Sequence, residues 1–177
     1  MTTTRRQLLM AGAASAIGLP AAARADTGAD RGLLEVMARY TAVVVFSYDL
    51  ALHSAPLRGG DRAMLTKLRA VAEEEDNAVR AALTRTGGTP PPPRPATFSQ
   101  LPPEIARKAD RAAYLRYVIT NEEGAVTGWY AVIQQLADAT LVKGAATYMA
   151  AGGRRLVVLR NLAGEPLLPR AFETGGP

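Results

Sequence analysis

The chain has 177 residues, a formal net charge of +5, 48% hydrophobic and only 6% aromatic side chains. That length fits one domain of ordinary size, long enough to close its own core. Cysteine is absent, which excludes disulfides, thiolate metal sites and a lipid-modified cysteine, so stability must come from packing.

At the N-terminus, Arg5 and Arg6 precede an Ala-rich apolar run from Leu8 to about Ala23. Ala23-Arg24-Ala25 then places small residues at the two positions a signal peptidase reads. The arrangement resembles a twin-arginine export signal over residues 1–25, with cleavage before Asp26; an ordinary secretory signal or an uncleaved anchor is the alternative. The run is too short and Ala-rich for a comfortable membrane span. The resemblance implies passage of a folded chain through the twin-arginine machinery to the periplasm or exterior, with 26–177 as the mature domain. Loss of Arg5, Arg6 and Arg24 takes the 21 basic residues to 18 against 16 acidic ones, a charge of +2. No dense basic patch is left to suggest nucleic acid.

The mature chain reads as four helices. The first is expected from about Leu33 to His53, with Asp30 as its cap and Pro56 and Gly59-Gly60 closing it. Leu34, Ala38, Thr41, Val45, Tyr48 and Leu52 form its seam; Val43 to Phe46 could suggest a strand, but the flanking period favours a buried helix. The second follows Asp61, carries Leu65, Leu68, Ala72, Val79 and Ala82 on one face, and stops at Gly87-Gly88. TPPPPRP, residues 89–95, is an extended polyproline spacer, with a ligand for a proline-binding module as the alternative.

The third helix begins near Pro103 or Asp110 and reaches Leu136. Asp138 caps the fourth, which runs to about Leu162 before Gly164, Pro166 and Pro169. Gly124, Gly128, Gly144, Gly152 and Gly153 fall inside these two helices, where each costs about 1 kcal/mol against alanine. Close helix approach explains them, and a break near Gly152-Gly153 is the competing account. The expected fold is all-α, a four-helix bundle.

Within the third helix, alternating steps of four and three join Leu115, Ile119, Glu122, Val126, Trp129, Ile133 and Leu136. A carboxylate thus stands where a leucine is expected. Glu75 takes the same place on the second helix, although Glu73, Glu74, Glu75 and Asp76 cover about 300° of it, so one acid must face inward. Either a kink at Asn121 to Gly124 or use of Glu123 would reset the third helix's phase. Inward carboxylates at mid-height are what di-iron bundles use, together with Glu-x-x-His pairs. Here Asn77 stands where such a pair needs its imidazole, and helix four lacks an acid between Asp138 and Glu165. His53, the only histidine, lies four residues after Asp49 near the end of helix one and reads as a surface pair with it.

The pattern VVVFSYDL, the helix-two end RTGGTPPPP, the tail LRNLAGEPLLPRAFETG and the order of four helices resemble a bacterial ferritin-like domain family of unknown function, exported by twin-arginine signals. The resemblance spans nearly all of the mature chain and implies a ferritin-like bundle. Carried over, Glu122 or Glu123 is the family-like acid of helix three. Thr41 stands where such proteins carry an acid, and Gly152 to Arg155 where the fourth helix supplies ligands. No activity follows from the family.

A buried carboxylate must take up a proton or find a cation. Arg155, or a hydroxyl such as Tyr48 or Tyr148, is the candidate partner of Glu122. One phase of helix four turns Arg155 inward; another, through Met149, Gly152, Leu156 and Leu159, leaves Arg154 and Arg155 outside. Ser47, Ser54 and Ser99 lack a His and Asp arrangement, no phosphate loop is present, and haem would have to use His53 with Met37, Met64 or Met149.

The expectation is therefore an eroded di-metal site with no cofactor and a non-catalytic binding or assembly role, with a protein partner or as a homo-oligomer. Two alternatives stand beside it. One is a metalloprotein or oxidase holding iron or manganese on Glu75, Glu122 and Glu123. The other is a small apolar ligand between helices three and four.

Overall fold

The computed structural model describes residues 27–92, 105 and 110–167. The expected signal segment, residues 93–95 of the Pro-rich spacer, Pro103 and Pro169 lie outside the described residues. Four helices run α1 Thr27–Ser54, α2 Gly59–Arg85, α3 Arg111–Ile133 and α4 Ala139–Ala163, with no strand among the described residues. The chain is an all-α four-helix bundle.

The apolar seams meet inside it. Leu34, Ala38, Tyr48, Leu65, Val79, Leu115, Trp129 and Leu159 are all buried. They divide into two clusters along the axis: Tyr48, Leu115, Ile119 and Leu159 in one, Met37, Val79, Leu83 and Trp129 in the other. Neighbours around the bundle are α1 with α2, α1 with α3 and α3 with α4, whereas α2 and α4 meet only sparsely. No described helix is long and apolar enough to cross a membrane.

The helix ends differ from expectation in instructive ways. Asp110 caps α3 by accepting from Ala113 N at 2.8 Å, and Asp138 caps α4 by accepting from Thr140 N and Leu141 N. Asp30 lies inside α1, which already includes Thr27, rather than ahead of its first turn. It lies buried in the first described turn of α1, and its carboxylate accepts from Ala137 N at 2.9 Å and Asp138 N at 3.0 Å. One acid thus fixes the α3–α4 connection across the bundle. Gly59-Gly60 open α2 rather than close α1, and α3 ends at Ile133, three residues short of Leu136. Gly164 closes α4 at φ 73°, where the left-handed turn lets Glu165 N reach Arg160 O at 2.9 Å.

The break considered near Gly152-Gly153 does not occur; α4 is continuous. Gly152 instead marks a close approach. A Cβ there would stand 2.7 Å from Val126 Cγ2 of α3, closer than packed carbon atoms allow, whereas Gly153 faces open space.

Candidate functional site

Glu122 lies on the buried face of α3 and is fully enclosed, so the third helix keeps its phase through Asn121 to Gly124. Helix α4 turns Arg155 inward as well, 4% exposed, alongside Gly152, Leu156 and Leu159; Arg154 alone stays outside. The phase that left both arginines in solvent is therefore incorrect. Arg155 and Leu156 are about 100° apart on the helix, and the buried face of α4 is wide enough to take both.

The guanidinium grips Glu122 side-on. Arg155 Nε donates to Oε1 at 2.6 Å and Nη2 to Oε2 at 3.0 Å, the two-pronged geometry in which Arg and carboxylate fit best. Nη2 also stands 2.9 Å from Glu75 Oε2 on α2, an ion pair whose alignment falls short of a hydrogen bond. Tyr48 of α1 donates its hydroxyl to Glu122 Oε1 at 2.7 Å. Trp129 of α3 donates Nε1 to Glu75 Oε1 at 2.9 Å. Each apolar cluster thus sends one aromatic donor to one glutamate, and Arg155 joins the two glutamates.

The electrostatics follow from enclosure. Burial pushes the Glu75 carboxyl above its ordinary value, against the pull of Arg155 and Trp129. Burial, with Glu122 in contact, also holds the Tyr48 hydroxyl firmly protonated. Burial works against the charge on Arg155, but the two-pronged bonds to Glu122 and the field of Glu75 outweigh it and keep the guanidinium charged. Gly152 borders this head: a Cβ on it would stand in ordinary contact with Glu122 Oε2 at 3.6 Å and Arg155 Nη2 at 3.7 Å.

Not every expected residue joins. Glu123 is half-exposed and pairs with Arg160 of α4 at 2.5 Å. Tyr148 does not reach Glu122; its ring packs 5.4 Å from Trp129. His53 Nδ1 lies 2.7 Å from the backbone oxygen of Asp49, whose carboxylate instead pairs with Arg69 of α2 at 2.6 Å. The expected Asp49–His53 side-chain pair is thus replaced by an interhelical bridge. Of the glycines of α3 and α4, Gly152 alone meets the facing helix, at Val126, whereas Gly124 and Gly128 face Tyr40 and Met37 of α1.

Sequence reasoning missed Asp76. Two neighbours of the acidic run are buried, not one: Glu75 faces Trp129 and Arg155, while Asp76 faces α1 and accepts from Thr41 Oγ1 at 2.6 Å. Arg80 Nε completes that group at 2.5 Å from Asp76 Oδ2 and sends its remaining donors to the carbonyls of Pro91 and Pro92. The unused signal was spacing: Arg80 follows Asp76 by four, the helical interval for an ion pair.

Glu75 and Glu122 do not fit a di-metal centre. All four of their oxygens face a donor of this chain, no imidazole is near, and no group of three potential ligands occurs among the described residues. The arrangement can hold charge and shape.

Fold and site together define an α-helical bundle with a buried Glu–Arg–Glu core. No family model matches the chain, and no curated protein matches its sequence. Among solved structures it is similar to the crystal structure of a conserved hypothetical protein, rv2844, from Mycobacterium tuberculosis. The TM-score is 0.68 and the identity 18%, over 85% of this chain and 98% of that one. At that identity the likeness is one of fold.

Proposed function

We propose that the protein is an exported, ferritin-like bundle whose metal site has been replaced by a guanidinium, leaving a non-catalytic binding or assembly role in the cell envelope. One observation carries this reading: Arg155 is bonded twice to Glu122 and lies against Glu75. A fixed positive charge there neutralises one of the two inward carboxylates, and burial raises the other, Glu75, towards its neutral form. Assembly is supported by the outer face of α1 and α3, where exposed Val36 and Tyr40 adjoin an apolar groove of about 370 Å³ lined by Val43, Thr120 and Gly124.

The test is the metal content of the purified protein by mass spectrometry, after expression with added iron, manganese and zinc. The expected result is far less than one metal per chain in the wild type and in Glu122→Ala alike. Stoichiometric metal that disappears in Glu122→Ala overturns the reading in favour of a metalloprotein.

A further inference from the structure

The sparse seam between α2 and α4 has an unusual lining. Ala78 and Ala82 of α2 face Gly144 and Ala145 of α4 across a cleft of about 250 Å³. Small residues on facing helices normally let the axes close up and exclude space. Here they widen a cleft instead, because α2 and α4 stay apart.

The lining of the cleft is of two chemical kinds. Its inner wall is Leu34, Val79 and Trp129, all buried, and the one polar atom of that indole is already committed to Glu75. Water there would find none of the two to four polar partners it needs. The exposed Arg85 and the half-buried Tyr148, whose ring packs on Trp129, complete the lining, and their guanidinium and hydroxyl have no hydrogen-bond or ion-pair partner among the described residues. The Tyr148 hydroxyl feels both Glu75 and Arg85. A cavity of roughly 150 Å³ lined by apolar side chains suffices for a single benzene ring, so this cleft takes a longer body.

We infer that the α2–α4 cleft binds a small amphipathic carboxylic acid, its acyl or aryl body against Trp129 and its carboxylate at Arg85 and Tyr148. The occupant's charge follows from a cation and a hydroxyl donor that no carboxylate among the described residues engages. The inference deepens the binding role proposed above, yet does not depend on what replaced the metal. Metal analysis therefore tests that reading, and the titration below tests this one.

Trp129 is the chain's single tryptophan, so its fluorescence reports the cleft directly. The full-length protein is titrated with octanoate and 4-phenylbutyrate, and with 1-octanol and 4-phenylbutanol as neutral counterparts. The expected result is a saturable emission change with at least one acid, at roughly tenfold higher affinity than its alcohol. Arg85→Gln, a surface change, should erase the acid's advantage. Gly144→Leu, which fills the cleft, should abolish binding while circular dichroism shows the helices intact. Four results overturn the inference: no saturable change with either acid, equal affinity for acid and alcohol, an acid advantage that survives Arg85→Gln, or acid binding that survives Gly144→Leu. An unfolded Gly144→Leu leaves the decision to Arg85→Gln and the acid–alcohol comparison, either of which can overturn it.

Discussion

At the scale of single residues, the buried charges decide most. Glu122 is the residue on which Arg155 and Tyr48 converge, so weakening it leaves a guanidinium without its main partner in a dry environment. Removing one member of such a group costs about 3 to 5 kcal/mol, because the survivor stays buried and unpaired. For Glu122→Gln, where one oxygen still accepts and Glu75 still faces Arg155, a loss near the lower end, about 3 kcal/mol, is expected by urea denaturation at neutral pH. An unchanged midpoint would show the cluster to be energetically idle. Glu75 adds a pH signature. Its carboxyl is held above the ordinary value of 4.5 by burial, so the folded state binds that proton more tightly than the unfolded chain does. Its favourable contribution is therefore complete below the unfolded value and is lost as pH rises through the folded one. The stability of the wild type relative to Glu75→Gln should decline as pH is raised from 4.5 towards neutrality; a difference that stays flat contradicts the assignment. The inward glutamate of α3 was legible because a helix that is apolar at every fourth or third position leaves its exception in plain view. The donors were less so, since Trp129 reads as core whether or not its N–H is used.

At the scale of elements, Gly152 and Gly153 form a controlled pair. Both gain helix propensity on mutation to alanine, about 1 kcal/mol. Only at position 152 does the new methyl meet Val126, at 2.7 Å, and overpacking of that kind costs about 1 to 3 kcal/mol. Gly153→Ala should therefore stabilise by about 0.5 to 1 kcal/mol and Gly152→Ala should destabilise, with Val126→Ala restoring much of the loss in the double variant. If both glycine variants prove equally stabilising, the close approach of α3 and α4 is not what the structure describes. The four helices could be read from periodicity with ends a few residues off, and the reason is visible in Asp30. A sequence shows that an acid near a helix start can cap; it does not show that the orphan N–H groups lie 107 residues away, at Ala137. Arg155 was ambiguous for a related reason. Periodicity assumes one narrow buried stripe, whereas α4 buries Gly152, Arg155, Leu156 and Leu159 together.

At the scale of the whole molecule, the question is what the Glu–Arg–Glu core does for the bundle. Burying three charged groups removes each from water, and their mutual attraction rarely exceeds that loss by much. If the core exists for stability alone, well-packed apolar residues should do as well. The decisive comparison is Arg155→Met alone against the triple variant Glu75→Leu, Glu122→Leu, Arg155→Met. The single change strands two carboxylates whose oxygens Arg155 had shared, and should cost about 3 to 5 kcal/mol. For a chain of this size each 1 kcal/mol lowers Tm by about 2 to 4 °C, so a fall of roughly 10 °C is expected. The triple variant leaves no buried charge, although Tyr48 and Trp129 each lose an acceptor at about 1 to 3 kcal/mol. Its Tm should therefore exceed that of the single variant despite carrying three substitutions. A triple variant less stable than Arg155→Met would mean that the charges hold the helices in register in a way apolar packing cannot reproduce. Because α2 touches α4 so little except through Glu75 and Arg155, that outcome would place the register of α2 against α4, and with it the width of their cleft, under the control of this one ion pair.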